Sequence, residues 1–421
     1  MRIWFSGIGG VGIGSLASVA ADAGYDVVGS DLSPSLTTAE LESRGIEIVY
    51  GQDGAALHQT HQAAPIDRVV HTAALKPDHP ELLAADELGI PTAKRDVFLN
   101  ELIREHELKL LAISGTHGKT TVTGMAIWAF QQLGIPVSWS IGTTIRYGAA
   151  GHYDPDAEWF VLECDEFDRN MLRFSPTVAV LPAVGYDHPD TYPSREDYQA
   201  AFAQFAAQSG ATYIWDDQAG GALNQVPGVR ALPARDVSLD EIPLPGAHNR
   251  RNAALLAAAL VEQVGPGREG DVRAAIASFP GTDRRFERLA ENLYSDYGHH
   301  PTEIAATLQL AREVADRVVL VYQPHQNIRQ HELLGHYGDE FRLAERTFWL
   351  PTYLSREDPN LRVLEPAELF ASVSNPEAVE AAEWGEELWQ RLEAYRADGV
   401  LVLAMGAGSI DGWFRERLAQ N

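Results

Sequence analysis

The chain of 421 residues contains a single cysteine, Cys164, and only four methionines. One thiol excludes a disulfide framework and a thiolate metal cage. Lysine is nearly as scarce. Lys76, Lys94, Lys109 and Lys119 are the only four among 33 basic residues, so arginine carries almost all the positive charge. A lysine inside a glycine-rich loop therefore stands out. No apolar run approaches the ~18 residues of a membrane span, and after Arg2 the sequence turns glycine-rich without a signal-peptide core. The chain reads as cytoplasmic, with no membrane partner. Positive charge is also short overall, since 59 acidic residues leave a formal net charge of −26. Nucleic acid is excluded as a general partner, because backbone binding needs a basic face. A phosphorylated small molecule stays open, since a few cations and helix N–H groups can hold one inside an acidic shell.

Apolar residues at 45% and charged residues at 22% are ordinary for a folded soluble protein. At ~150 residues per domain the length allows two to four domains. A first segment, residues 1–107, carries "RIWFSGIG", "YDVVGSD", "GIEIVYG" and "IDRVVHTAA" as successive buried parallel strands and closes near "PTAKRDVFLNELIRE". A second, 108–283, opens with strand "LKLLAIS" and helix "TTVTGMAIWAFQQLG", then continues through "EWFVLECDE", "TVAVLPAV" and "ATYIWD". Within it, "PARDVSLDEIPLPGAHNRRN" reads as a surface connection before the helix "NAALLAAALVEQVG". A third, 284–421, holds "LYSDYG", "DRVVLVYQPH", "RTFWLPTY" and "GVLVLAMGAG" as strands. Repeated β-then-α order predicts α/β layers in all three.

Two loops bear on chemistry. In "GIGGVGIGS", Gly7, Gly9 and Gly12 fit G-x-G-x-x-G, with Gly10 in the same turn. Such a turn lets a pyrophosphate approach the start of a helix, and Asp31, about 20 residues on, suits a ribose hydroxyl. The segment is nonetheless short for a full six-stranded dinucleotide fold. The second loop, "SGTHGKTT", joins a strand to a helix. Backbone N–H groups of Gly115, Thr116, His117 and Gly118 can surround phosphate oxygens there, with Thr121 following. Lys119 can neutralise the terminal phosphate and Thr120 can ligate Mg²⁺. Ile113 stands where the strict phosphate-loop signature has its first glycine. A plain strand–helix turn is the bland alternative; the rare lysine in this context favours a nucleotide.

"GTHGKTT", "LECDEFD", "YDHPDTY", "PGAHNRRNAALLAA", "GTDRRFE", "SDYGHHPTE", "YQPH" and "MGAGSI" follow in this order across residues 115–410. Together with "FSGIGGVGIGSLA" they resemble the Mur ligases of peptidoglycan synthesis. The resemblance implies an α/β protein of three domains. These are a Rossmann-like amino-terminal domain for a UDP-sugar, a central P-loop ATPase domain with a parallel sheet, and an α/β carboxy-terminal domain admitting an amino acid. It implies ATP and Mg²⁺ as cofactors and UDP-N-acetylmuramate as the sugar. In the branch it most resembles, L-alanine is the amino acid. The first glycine loop would then hold the UDP diphosphate and the second the phosphates of ATP.

The same resemblance assigns roles. Thr120, Glu163 and His188 would ligate Mg²⁺, and Asp165 and Glu166 would shape the turn or its field. Asn249 would face the adenine, although helix capping is nearly as good a reading of an asparagine there. Arg285 and Asp296 would hold the nucleotide's phosphate or ribose. His299, His325 and Arg329, with Tyr297 nearby, would lie on the amino-acid side. After "QPH" the family usually places several arginines, whereas this chain has Gln326, Asn327 and His331. That leaves the amino acid less defined than the reaction. A murein-recycling ligase adding a tripeptide is the near alternative. A nicotinamide dehydrogenase, resting on the first loop alone, and an idle nucleotide-binding regulator are the distant ones.

Overall fold

The computed structural model describes residues 1–72, 75–188, 191–235, 241–355 and 357–420. Residues 236–240 of the expected surface connection, and Pro189 and Asp190 of "YDHPDTY", lie outside the described residues. Among the described residues, eighteen strands form three sheets. The chain divides into two compact units, Met1–Ser238 with Asn252–Pro280, and Leu239–Arg251 with Gly281–Asn421.

The first unit holds two sheets. In the first, β1 (Arg2–Ser6), β2 (Asp26–Asp31), β3 (Glu47–Tyr50), β4 (Arg68–His71) and β5 (Thr92–Lys94) run parallel in the order β3-β2-β1-β4-β5. Ile3, Trp4 and Phe5 are fully buried, as a strand covered on both faces requires. Strand order reverses between β1 and β4, so Gly7, just past β1, sits where such sheets form a ligand crevice.

The second sheet comprises β6 (Lys109–Ile113), β7 (Val137–Ser140), β8 (Gly151–His152), β9 (Trp159–Glu163), β10 (Val178–Leu181), β11 (Ala211–Trp215) and β12 (Val229–Leu232). Its order is β12-β11-β10-β6-β9-β7-β8, parallel throughout except for β7 with β8. β6 is central, and the second glycine loop follows it. Phe5, Leu16 and Phe98 of the first layer share one apolar cluster with Phe160, Met171 and Phe202 of the second. The layers meet so closely that a Cβ on Gly151 would stand 1.9 Å from the Ser15 carbonyl oxygen.

The second unit holds β13 (Glu287–Ala290), β14 (Leu293–Asp296), β15 (Val318–Tyr322), β16 (Arg346–Trp349), β17 (Val379–Ala381) and β18 (Leu401–Met405). Their order is β13-β14-β18-β15-β16-β17, with β13–β14 the antiparallel edge hairpin. The rings of Tyr322, Tyr337, Phe341 and Trp349 pack edge-on or tilted against one side of it. The α/β class is as the sequence implies. Strands β5, β7, β8, β12, β13 and β17 were not among the runs read as strands; most are edge or near-edge strands of two to four residues. No helix among the described residues is long and apolar enough to cross a membrane.

Candidate active site

The loop after β6 is held open by backbone geometry. Gly115 (φ +131°) and Gly118 (φ +86°) occupy the left-handed region, and a Cβ on Gly115 would stand 2.4 Å from the Ala183 carbonyl oxygen. No other residue fits there. The Thr116 N–H donates to that same carbonyl at 2.9 Å, and its hydroxyl lies 2.5 Å from the Gly185 oxygen and 2.8 Å from the Tyr198 hydroxyl. His117 and Thr121 are partly buried in the turn and the first helical turn. The helix Lys119–Gln132 starts immediately after Gly118, so its first N–H groups face the loop unpaired by intrahelical bonds.

Lys119 curls back over this loop. Its Nζ donates to the Gly115 carbonyl at 2.6 Å and meets the Glu166 carboxylate at 3.0 and 2.7 Å. Burial alone disfavours the ammonium, but the carboxylates of Glu166, Asp165 and Glu163 outweigh it and raise the lysine pKa. Glu166 is fully buried. Burial pushes its pKa up, yet Lys119 and His188 together hold it below the ordinary value. The sequence reading gave Glu166 a role in the turn or its field; the structure pairs it with the loop lysine as a counter-ion.

Thr120 and Glu163 are brought together. The Thr120 hydroxyl donates to Glu163 Oε1 at 2.7 Å, while Oε2 accepts the Gly142 N–H at 2.7 Å. His188 faces Glu166. It has φ +57°, uncommon for a histidine, and its Nε2 stands 3.6 Å from Glu166 Oε1 and 3.8 Å from Asp187 Oδ2. Burial lowers its pKa, but the Glu166 carboxylate, as acceptor and as charge, and the charges of Asp187 and Asp165 raise it on balance. Among the described residues no group of three His, Cys, Asp or Glu is arranged to hold a metal ion. Hydroxyl and carboxylate oxygens at the Thr120–Glu163 pair do fit Mg²⁺, which is commonly bound through one or two carboxylates plus phosphate oxygens.

The helix Ala247–Val264 carries Asn249 and Asn252. Asn249 Nδ2 donates to the Pro245 carbonyl at 3.0 Å, as a residue tying down its helix start would. Asn252, which sequence reasoning passed over, is the asparagine against the loop: a Cβ on Gly118 would come within 3.3 Å of its amide.

The first glycine loop is built differently. Gly7 has φ +78°, and the N–H groups of Gly7 and Ile8 both donate to the Ser30 carbonyl at 2.9 Å. The Gly9 N–H donates to Asp31 Oδ2 at 2.8 Å, and a Cβ there would meet the same oxygen at 2.8 Å. Gly10 N-caps the helix Val11–Asp22, and Gly12 in its first turn lies against Arg95.

In the second unit, Asp296 is buried, and its two oxygens accept the N–H groups of Phe286 (2.8 Å) and Gly298 (2.7 Å). It holds the turn beside Arg285, whose guanidinium lies 5.3 Å from the Tyr297 ring centre and 3.9 Å from Glu303. His299 and His325 are brought together, ring centres 5.4 Å apart, and His325 stacks on Tyr353. Burial lowers the His299 pKa despite Glu303 nearby. Arg329 follows on the helix Asn327–Leu333. The network beneath the pair has no sequence signature. Tyr322 donates to the His299 carbonyl at 2.9 Å, Tyr337 donates to Gln330 at 2.7 Å, and Gln330 donates to the His325 carbonyl at 3.2 Å. Two of the residues that depart from the family pattern bond to a neighbouring backbone segment: buried Asn327 binds the backbone of Arg362 and Leu364, and His331 Nε2 lies 2.9 Å from the Arg362 carbonyl.

Three α/β sheets, with a lysine-bearing glycine loop on the second and another glycine loop on the first, are the build of a nucleotide-using enzyme. The chain belongs to the Mur ligase family. The "Mur ligase family, catalytic domain" model matches residues 2–107, the "Mur ligase middle domain" 113–226, and the "Mur ligase, glutamate ligase domain" 284–408. It is similar to the UDP-N-acetylmuramate–L-alanine ligase of Novosphingobium aromaticivorans, at 33% identity over 98% of this chain and 95% of that protein. The enzyme of the same name from a Nocardioides species is 34% identical over 97% and 94%. In fold it is similar to UDP-N-acetylmuramate–alanine ligase MurC from Thermotoga maritima, with a TM-score of 0.79, 24% identity, and coverage of 100% and 99%. A murein peptide ligase from Psychrobacter arcticus has a TM-score of 0.66 at 22% identity, covering 100% and 98%.

Proposed function

We propose that this protein joins L-alanine to the lactyl carboxylate of UDP-N-acetylmuramate at the expense of ATP. The observation that carries this is likeness over nearly the whole chain to ligases with that name, at 33% and 34% identity. The murein-peptide and dehydrogenase readings have less support: the first rests on a likeness of fold, and the second leaves Lys119 and its loop without a purpose. Residues 1–107 bind the sugar nucleotide, 108–283 bind ATP, and 284–421 admit the amino acid. The reaction belongs in the cytoplasm, where ATP is available.

The chemistry follows from a poor leaving group. A lactyl carboxylate oxygen attacks the γ-phosphorus of ATP; the bond to ADP breaks and an acyl phosphate forms. The amine of alanine then attacks the acyl carbon, loses a proton, and phosphate departs with one former carboxylate oxygen. Lys119 leaves Glu166 partly free as its charge turns to the terminal phosphate, and the N–H groups of Gly115–Gly118 surround the phosphate oxygens. Thr120 and Glu163 would hold Mg²⁺, which would supply neutralisation of phosphate charge. His188 would join Thr120 and Glu163 as a ligand through a neutral imidazole nitrogen. Asn249, Arg285 and Asp296 serve the nucleotide, and His299, His325, Arg329 and Tyr297 the amino acid.

Phosphate release tests this directly. With ATP and UDP-N-acetylmuramate, L-alanine should support turnover well above L-serine, glycine or the tripeptide. Turnover with the tripeptide alone would move the protein to the recycling branch, and none with any acceptor would overturn the ligase reading.

A further inference from the structure

In the second unit, neighbouring parallel strands in the order β14-β18-β15-β16 bring their carboxyl ends to one edge of the sheet. The loops that follow them carry His299, Gly408, His325 and Tyr353 in turn, at the edge where α/β sheets bind ligands. Tyr353 is fixed there from several sides. Its N–H donates to the Pro324 carbonyl at 2.8 Å, and its own carbonyl accepts the Gln326 N–H at 2.9 Å. Its ring stacks on His325 with centres 5.6 Å apart and planes 9° from parallel. Gln326 has φ +62° and ψ 117°, a conformation that a non-glycine residue keeps only where its surroundings impose it. Gly408 meets the base of the ring. It lies outside the left-handed region, yet a Cβ there would stand 2.5 Å from Tyr353 Cγ and 2.6 Å from Gln323 Oε1, so close approach alone requires the glycine. Tyr353 is nonetheless 38% exposed, and its hydroxyl makes no hydrogen bond among the described residues. Leu354 beside it and Ile328 just past His325 are exposed apolar side chains as well.

A ring rooted in this way cannot easily swing aside for a ligand. His299 lies on the other side of the stack, its ring centre 5.4 Å from that of His325. Burial lowers the His299 pKa and the charge of Arg329 lowers it further, so the guanidinium belongs to the same edge. We infer that Tyr353 is a specificity-determining residue, whose ring meets the side chain of the incoming amino acid and confines it to a small, uncharged group. This rests on reading the histidine pair as the amino-acid side. An acceptor with its amine at the histidines and its carboxylate toward Arg329 has only its side chain left to face the ring. A methyl group leaves the ring where it is. Larger side chains must displace it against Gly408 and its own backbone bonds, and a charged one loses water beside an apolar wall.

Initial rates of phosphate release by the full chain, with saturating ATP and UDP-N-acetylmuramate and with L-alanine or L-valine as acceptor, test this. The ratio of kcat/KM for L-valine to that for L-alanine should rise about 10-fold or more in Tyr353→Ala. In Tyr353→Phe, which keeps the ring, it should stay within about twofold of wild type. KM for ATP should not move in either variant. The ratio does not depend on how much enzyme is folded, so a merely structural role would lower both acceptors in parallel and leave it unmoved. That result would overturn the inference while leaving the ligase reading standing. Should Tyr353→Ala not fold, Tyr353→Leu carries the test, with a smaller rise expected and an unmoved ratio counting against it. No phosphate release by the wild type with any single amino acid would instead overturn the reading on which the inference stands.

Discussion

Lys119 and Glu166 show how one side chain serves both structure and chemistry. A fully buried carboxylate is tolerable only when paired, and stripping its partner typically costs about 3–5 kcal/mol. Lys119→Ala should therefore lose about 10³-fold in turnover through lost phosphate stabilisation, and also lose stability on that scale, softened by His188 on the other side of Glu166. The double variant Lys119→Ala/Glu166→Gln separates the two. Urea unfolding should show most of the stability regained, while phosphate release stays as low as in the single variant. Recovered activity in the double variant would mean that Lys119 acts only as a counter-ion. Lys119 was legible in the sequence because lysine is rare and the loop context specific. Glu166 was not, because nothing in "LECDEFD" says which of four acids turns inward; only the fold decides it. Asn327 and His331 illustrate the reverse. Their departure from the family pattern left the amino acid less defined in the sequence; in the fold both side chains bond to backbone at 362–364.

At the scale of elements, the strand–loop–helix order of both glycine loops could be read directly, since glycines with positive φ leave a plain signature. The start of the helix Ala247–Val264 was misplaced. "AHNRR" looks like loop but forms its first turn. His248 lies in that turn. Enclosure, with Arg285 nearby, lowers its pKa from 6.5 to about 4, and its Nδ1 has no hydrogen-bond partner. The unfolded chain takes up a proton below about pH 6.5, while the folded turn declines it until about pH 4. Between those values the unfolded state binds more protons, so stability falls as pH falls. By pH 5 this residue should cost on the order of 1–2 kcal/mol, relative to pH 7. Urea unfolding at both pH values, for wild type and His248→Gln, measures it as the difference between their pH responses. Identical responses would contradict the shift.

For the whole molecule, three successive α/β segments were evident because buried parallel strands such as "KLLAI" and "VVLVY" are continuous apolar runs. What could not be read was how they assemble. The first two sheets share one apolar cluster through contacts such as Gly151 on Ser15, which depend on close approach between distant segments. Nor does spacing reveal that His299 and His325 rest on a buried Tyr322–Tyr337–Gln330 network. The central claim concerns the molecule as an engine that activates a carboxylate by phosphorylation before amide formation. Mass spectrometry of the phosphate formed from UDP-N-acetylmuramate labelled with ¹⁸O in its lactyl carboxylate, with ATP and L-alanine, tests it most directly. The account predicts one ¹⁸O atom in each phosphate released; unlabelled phosphate accompanying amide product would contradict it.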